Sequence, residues 1–417
     1  MIQRYFDPLL TFVFAKVKYL HVEHIARLIL TTAIISAAPP LIVRPVFAQG
    51  SPFTGEDAIL HEARSLISRH QPAQAETVLR PLLERDPRNA TILTLLAETR
   101  IDQGDRSEAA TLLLRALNAS PNSSEANITL GNLLLAEHHD PEAMDRFETV
   151  LGLAPTNPDA QRGELTAATE LAVTARGSGH PEVALDVLRH ARTKLPDNPK
   201  LLLELGIQAT ELHLLTEASE ALNRARKLDA GDPDILYALG RADTELQHMA
   251  AAEADFRAYL AVRPNDASAH FGLGHVLAMD QQAAAARAEF ELSIQLQPVQ
   301  TESYYQIGQI ELDAQQDAKA EVLFRKTLER DPKHGGALTG MGVLAFRAKE
   351  YAKAEQYLAA AEKTAPEYGP AHYYRGLALA RMGRKDEADT ELRTAAELGK
   401  AHPTPVRGGA PPSAETP

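Results

Sequence analysis

Histidines are the residues whose type and spacing could hold a metal ion. Residues 138–140, His-His-Asp, form the densest group, but the flanking sequence predicts a turn between two helices, where solvated side chains are the simpler interpretation. His270 and His275 stand five residues apart on one predicted helix, so they point to different sides. His21 and His24 fall in the first 48 residues, whose composition differs from that of the rest of the chain. The pattern therefore predicts no metal site and no cofactor.

The sequence lacks the short motifs that identify common catalytic sites. It has no Gly-x-x-x-x-Gly-Lys-Ser/Thr phosphate loop, no His-Glu-x-x-His zinc helix and no Gly-x-Ser-x-Gly elbow. Cysteine is absent, which excludes disulfides, a zinc ribbon and a thiol nucleophile. The net charge of −13 argues against nucleic-acid binding, which needs a basic surface. We therefore expect a protein that is not an enzyme and has no nucleic-acid partner.

Regular spacing of small residues indicates which elements organise the chain. Glycines recur every 34 residues, each is followed twelve residues later by an alanine, and a large apolar residue comes four residues after that. A fixed period of this length is typical of a solenoid of helix-turn-helix units. The glycines and alanines are Gly206, Gly240, Gly274, Gly308, Gly342 and Gly376, with Ala218, Ala252, Ala286, Ala320, Ala354 and Ala388.

The same period extends over most of the chain and defines ten units. Three units fill residues 56–157 and seven fill residues 165–402, and every unit has alanine at its twentieth position. Apolar spacing at i, i+3 and i+4 predicts two helices in each unit. The units begin at residues 56, 90, 124, 165, 199, 233, 267, 301, 335 and 369, and positions are counted from these starts.

Seven extra residues, 158–164, interrupt the period between the third and fourth units. Asn157-Pro158 predicts a helix start, and no helix breaker follows before Gly177. Because seven residues are close to two helical turns, an extended first helix would keep its apolar face in phase. A longer loop before a helix of ordinary length is the alternative.

The first 48 residues differ from the repeats and resemble an export signal. A basic lead-in precedes sixteen uncharged residues, 28–43, and Val46-Phe47-Ala48 supplies small residues before a cut after Ala48. The alternative is an uncleaved membrane anchor, although sixteen residues are short for a span of about 20. Residues 49–55 form a predicted linker, and residues 403–417 form a predicted disordered tail.

The repeated unit resembles the tetratricopeptide repeat. The matching features are a small eighth residue, alanine at position twenty, a large apolar residue at twenty-four and proline at thirty-two, as in the unit that starts at Thr301. Position four, where the family often has tryptophan, departs from the pattern and includes Asn127 and His270. The resemblance implies an all-α fold, a right-handed superhelical solenoid of antiparallel helix pairs.

The resemblance also implies that positions five and nine face a concave groove. In units six to eight these positions supply an aromatic ladder with polar neighbours, and aromatic residues and arginine are favoured at binding hot spots. The alternative is that the rings only pack between adjacent first helices. No unit has Lys or Arg at position five, so the family's clamp for a terminal carboxylate is not reproduced. The predicted partner-binding residues are Tyr237, Arg241, Phe271, His275, Tyr305 and Gln309.

These observations favour a non-enzymatic protein-protein interaction scaffold of the bacterial cell envelope that binds peptides or extended protein segments. The alternative is a partner-recruiting subunit of a multi-protein enzyme or a polysaccharide-export system. We expect a periplasmic or extracellular location, or inner-membrane anchoring if residues 28–43 are retained. Self-association through the terminal repeats is a further hypothesis.

Overall fold

A computed structural model describes residues 55–401 of the chain. The predicted signal or anchor in residues 1–48 and the predicted tail in residues 403–417 lie outside the described residues. So does the predicted linker, residues 49–55, except for Gly55, which is the first residue of a helix. Within residues 55–401 the structure contains no β-strand.

The described chain divides into two units, and the N-terminal unit comprises residues 55–282. It contains thirteen helices, which are α1 (Gly55–Ser68), α2 (Pro72–Arg85), α3 (Ala90–Asp102), α4 (Arg106–Ala119), α5 (Ser124–Ala136), α6 (Asp140–Leu153), α7 (Pro158–Gly177), α8 (Pro181–Lys194), α9 (Pro199–Glu211), α10 (Leu215–Leu228), α11 (Pro233–Glu245), α12 (Met249–Val262) and α13 (Ala267–Met279).

The C-terminal unit comprises residues 283–401 of the described chain. Its seven helices are α14 (Ala283–Leu296), α15 (Glu302–Asp313), α16 (Asp317–Arg330), α17 (Gly335–Arg347), α18 (Tyr351–Thr364), α19 (Gly369–Arg381) and α20 (Lys385–Ala401). The twenty helices agree with ten two-helix repeats, so the all-α repeat architecture is confirmed. Among the described helices, none has both the length and the apolar character that a membrane crossing requires.

A left-handed residue at position fifteen ends the first helix of every repeat. The backbone φ there lies between 53° and 83°, and the next residue donates its N–H to the carbonyl five residues earlier at 2.8–3.0 Å. This is the Schellman arrangement, which satisfies a carbonyl at the helix end and turns the chain toward the second helix. Only three of the ten positions hold glycine; the other seven are His70, His138, His213, Gln247, Gln281, Gln315 and Lys349.

Small residues let the two helices of a repeat approach closely. All ten alanines at position twenty are buried, with at most 2% of their surface exposed. Three of the phenylalanines at position twenty-four, Phe147, Phe256 and Phe324, pack against a glycine at position eight of their own repeat and a glycine at position six of the next first helix. A Cβ added to Gly308 would lie 2.7 Å from the Phe324 ring, and one added to Gly340 would lie 2.5 Å from it. Each of these three rings is thus held between two glycines, a pairing that joins consecutive repeats.

Helix α7 contains the seven extra residues, which lengthen a helix and not a loop. It has 20 residues, whereas the first helices on either side have 13. Its first turns keep the register of the preceding repeats, because Gln161 donates to the Pro155 carbonyl at 2.8 Å as Asn127 does to Pro121 at 3.0 Å. Gly163 lies against Phe147, as Gly272 lies against Phe256. Its last turns follow the later register, and the two phases meet within one continuous helix.

The register of α7 puts a carboxyl group in a position that is apolar in most repeats. Counted from Pro158, Glu164 takes position seven, where Leu96, Leu130 and Leu205 lie in other repeats. Its side chain is fully buried, and neither carboxyl oxygen has a hydrogen-bond partner. Burial and, secondarily, the charge of Glu148 raise the pKa of Glu164 to about 8. The long helix therefore carries a local cost in stability.

Candidate functional site: a groove on three first helices

The N-terminal unit contains an open groove of about 720 Å³. Three successive first helices, α3, α5 and α7, supply its walls, which we call the N-terminal groove. Most of its lining side chains are polar, and Ile128 and Leu135 are the aliphatic ones. The lining residues that could contact a bound segment include Glu98, Glu125, Ile128, Asn132, Leu135 and Arg162.

The groove residues occupy the positions that the repeat is expected to expose on its concave side. Glu98 and Asn132 are at position nine of the second and third repeats, and Ile128 is at position five. On α7 the structural register, counted from Pro158, gives position five to Arg162 and position nine to Thr166. Arg162 thus stands at position five of the earlier register of α7, whereas Thr169 stands at position five of the register that starts at residue 165.

Most of the charged side chains along the groove form ion pairs. Arg64 of α1 donates to both carboxyl oxygens of Glu125 at 3.1 Å. Arg162 pairs with Asp159 on the same helix at 3.2 Å. Glu98 accepts a hydrogen bond from the Thr129 hydroxyl at 3.3 Å.

The groove offers two kinds of contact to a bound chain. The exposed amide of Asn132 can both donate to and accept from a peptide backbone. Ile128 and Leu135 are partly buried and present apolar surface in the same groove. The groove volume of about 720 Å³ falls within the range of roughly 300–1,000 Å³ that is typical of binding clefts.

The predicted aromatic residues of the N-terminal unit lie on α11 and α13 and pack against their own neighbours. The Tyr237 ring meets Phe256 edge-on at 5.7 Å and Tyr259 at 5.2 Å between ring centroids. Burial raises the pKa of the Tyr237 hydroxyl. Phe271 is buried and stacks on His275 at 6.3 Å, one helical turn away. Arg241 is half-buried on α11, one turn after Tyr237.

The remaining predicted residues, Tyr305 and Gln309, are half-buried on α15 of the C-terminal unit. The Tyr305 ring lies 4.6 Å from His334 and covers Gly336, where an added Cβ would come within 2.6 Å of the ring. Burial, with smaller contributions that include Tyr368, raises the pKa of Tyr305 well above its usual value of 10.0. These contacts account for the ring positions by packing, so the role of the six predicted residues in partner binding stays a prediction.

Sequence reasoning missed a buried ionic cluster in the last two repeats. Donor atoms of Glu362, His372 and Glu391 lie within 4.8 Å of one another, a grouping that could hold a metal ion. Arg375 already donates to Glu362 at 2.5 Å and to Glu391 at 2.9 Å, so this guanidinium neutralises the carboxylates. The available signal was Arg375 itself, which takes position seven where most repeats have leucine.

The helix pairs and their glycine–alanine register define an all-α repeat protein. A family model for the tetratricopeptide repeat matches residues 66–133, 100–165 and 311–374, and a second model of the same repeat matches residues 237–300. Together these matches cover more than half of the 417 residues. The chain belongs to the tetratricopeptide repeat family. No curated protein matches its sequence.

Several solved structures are similar to parts of the chain. PilF of Pseudomonas aeruginosa is 18% identical, with a TM-score of 0.43, over 50% of this chain and 94% of its own. MamA of Desulfovibrio magneticus RS-1 is 20% identical, with a TM-score of 0.38, over 41% and 97%. YrrB, described as a protein of this repeat family with an unusual peptide-binding site, is 19% identical, with a TM-score of 0.35, over 44% and 95%.

Proposed function

We propose that the chain is a non-enzymatic protein-protein interaction scaffold that binds an extended segment of a partner protein in the N-terminal groove. The observation that carries this proposal is the groove of about 720 Å³ across three consecutive first helices. Its walls come from positions that the repeat does not specify, since position nine is Glu98 in one repeat and Asn132 in the next. A recognition surface requires such positions, where the side chain can vary from repeat to repeat without disturbing the packing of the helices.

The dimensions of the groove favour an extended chain as its occupant. Packed helices lie about 8–10 Å apart, so three successive first helices span about 20 Å. An extended peptide rises about 3.3 Å per residue, and about six residues therefore cover this distance. The Asn132 amide can pair with the backbone of such a segment whatever its side chains.

The proposal includes a location in the bacterial cell envelope. It is supported by the basic lead-in, the uncharged residues 28–43 and the small residues Val46 and Ala48, which resemble an export signal. An uncleaved inner-membrane anchor remains the alternative within the same proposal. N-terminal sequencing of the mature protein decides between them, because cleavage after Ala48 gives a chain that begins at Gln49.

Affinity capture from envelope extracts tests the binding function. Asn132→Arg puts a long charged side chain into the groove from an exposed position and should abolish capture of groove-bound partners without unfolding the protein. Asn118→Arg is the matched control, because Asn118 is exposed on the second helix α4 and does not line the groove. Equal capture by both variants would show that partners bind elsewhere.

The predicted aromatic residues form a second arm of this experiment. The variant with Tyr237, Phe271 and Tyr305 all replaced by alanine should lose partner capture if these rings contact the partner. Circular dichroism separates this result from packing, because rings that serve only as packing groups would lower the unfolding temperature substantially. Retained capture with reduced stability would remove these rings from the proposed binding surface.

A further inference from the structure

Glu98 is the groove carboxylate that lacks a cation. The other two acidic residues of the lining are paired, Glu125 with Arg64 at 3.1 Å and Asp159 with Arg162 at 3.2 Å. Among the described residues, no Lys, Arg or His lies within ion-pair distance of Glu98. Its one described hydrogen bond comes from the Thr129 hydroxyl at 3.3 Å. A carboxylate accepts several hydrogen bonds, so most of its capacity is unused.

The surroundings of Glu98 would strengthen an ion pair formed with its carboxylate. The side chain is partly buried, and this burial and the negative charge of Glu125 raise the pKa of Glu98, while the Thr129 hydroxyl and the charge of Arg64 offset only part of the rise. A cation brought to the groove would meet a carboxylate that is poorly solvated and poorly paired. Such an ion pair is stronger than one on an open surface, because water screens it less.

The packing of the first helices does not require glutamate at this position. Position nine of the neighbouring repeats holds Arg64 and Asn132, so the packing of first helices accepts different side chains here. The apolar side chains of Ile128 and Leu135 line the same groove. They suit the aliphatic part of a lysine or arginine, which buries its methylene groups while its charged end reaches a partner.

We infer that the N-terminal groove recognises an extended segment of about six residues that carries one lysine or arginine, whose charge pairs with Glu98. This inference rests on the proposed function and specifies the chemistry of the partner. The backbone of the segment bonds to Asn132, and the basic side chain supplies the ion-pair partner that Glu98 lacks. Asn132 thus holds the backbone of an extended segment whatever its side chains, and Glu98 selects segments that carry a basic residue.

Selection of random peptides against the full-length protein tests the inference. The probe is a displayed library of linear peptides of roughly twelve residues, twice the span of the groove. Peptides selected by the wild type should share a lysine or arginine at one aligned position. Glu98→Gln should lose this preference, and Glu98→Lys should replace it with aspartate or glutamate. Glu84→Gln and Glu84→Lys, exposed on the second helix α2, should select the same peptides as the wild type.

Affinity gives a second readout for the selected peptides. A peptide with the basic residue should bind the wild type about tenfold more tightly than it binds Glu98→Gln, since a hydrogen bond to a charged group contributes about 1.5 kcal/mol or more. The same peptide with norleucine at that position should bind both proteins equally.

The outcomes separate this inference from the proposed function. Selected peptides without a shared basic residue, or a basic preference that survives Glu98→Lys, would overturn the inference while leaving the binding function intact. No enrichment by the wild type over the groove-blocked Asn132→Arg variant would overturn both. Circular dichroism on each variant excludes loss of folding as the cause.

Discussion

Replacing the buried Glu164 with leucine should stabilise the protein, and the gain should depend on pH. Leucine is the residue at the equivalent position of the second and third repeats, so the space at this position accepts it. Glu164 is fully buried without a hydrogen-bond partner, and burial raises its pKa from 4.5 to about 8. The wild-type chain must therefore keep a proton on this carboxyl group, or lose stability.

The size and sign of the effect follow from the two pKa values. Below pH 4.5 the carboxyl group is protonated in the folded and unfolded states, so ionisation costs nothing. Between pH 4.5 and about 8 only the unfolded state ionises, and the folded state loses about 1.4 kcal/mol per pH unit. The penalty is about 3 kcal/mol at pH 7 and levels off near 5 kcal/mol above the folded-state pKa.

Urea unfolding followed by circular dichroism, repeated from pH 4.5 to pH 8, measures this penalty. The difference between Glu164→Leu and wild type should be smallest at the acid end and should widen as the pH rises. Glu182→Leu, at an exposed position on α8, is the control for removing a surface carboxylate. A difference that does not change with pH, or a Glu164→Leu variant less stable than wild type at neutral pH, would refute the reasoning.

Three further predictions concern other features of the fold. Gly340→Ala should destabilise the C-terminal unit by about 1–3 kcal/mol, because the new Cβ lies 2.5 Å from the Phe324 ring. Adding Phe324→Leu should restore part of the lost stability, as measured by thermal denaturation of the two single variants and the double variant. Gln315→Gly should raise stability by about 0.5–1 kcal/mol, because the left-handed φ of 56° strains a side chain but not glycine; an unchanged melting temperature would contradict this. Burial lowers the pKa of His372, but hydrogen bonds to Glu391 and the Pro366 carbonyl outweigh it and hold the pKa above 6.5. The stability that His372 contributes relative to His372→Gln should therefore be full below pH 6.5 and decline as the pH rises through the folded-state pKa. A difference in melting temperature that stays constant above pH 6.5 would exclude this ion-pair role.

The repeat architecture was accessible from the sequence because close packing leaves a periodic trace. Two helices in contact tolerate only glycine or alanine at positions eight and twenty, and this requirement returns in every unit. The second requirement for glycine, at position six of the next repeat, was missed. It applies at Phe147, Phe256 and Phe324 but not at Phe290, where position six of the next repeat is Gln306, so it appears in some repeats and not in all.

The groove was harder to predict because a helix can carry two registers at once. The sequence period restarts at residue 165, which hid the fact that the first turns of α7 continue the earlier phase. Arg162 and Glu164 precede residue 165, so the register that starts there does not contain them or the third wall of the groove. The aromatic residues of the later repeats have the spacing of a binding surface in the sequence. In the structure, however, Tyr237 and Tyr305 have packing partners that no sequence pattern reveals.

Site-specific photocrosslinking tests most directly whether the groove binds a partner. A photoreactive amino acid is placed at Asn132 in the groove or at Asn118 on α4, and full-length protein is irradiated in cells that express it. We predict a discrete crosslinked partner from Asn132 and none from Asn118. The same crosslink from both positions, or a crosslink from Asn118 alone, would contradict the claim that the N-terminal groove is the binding site.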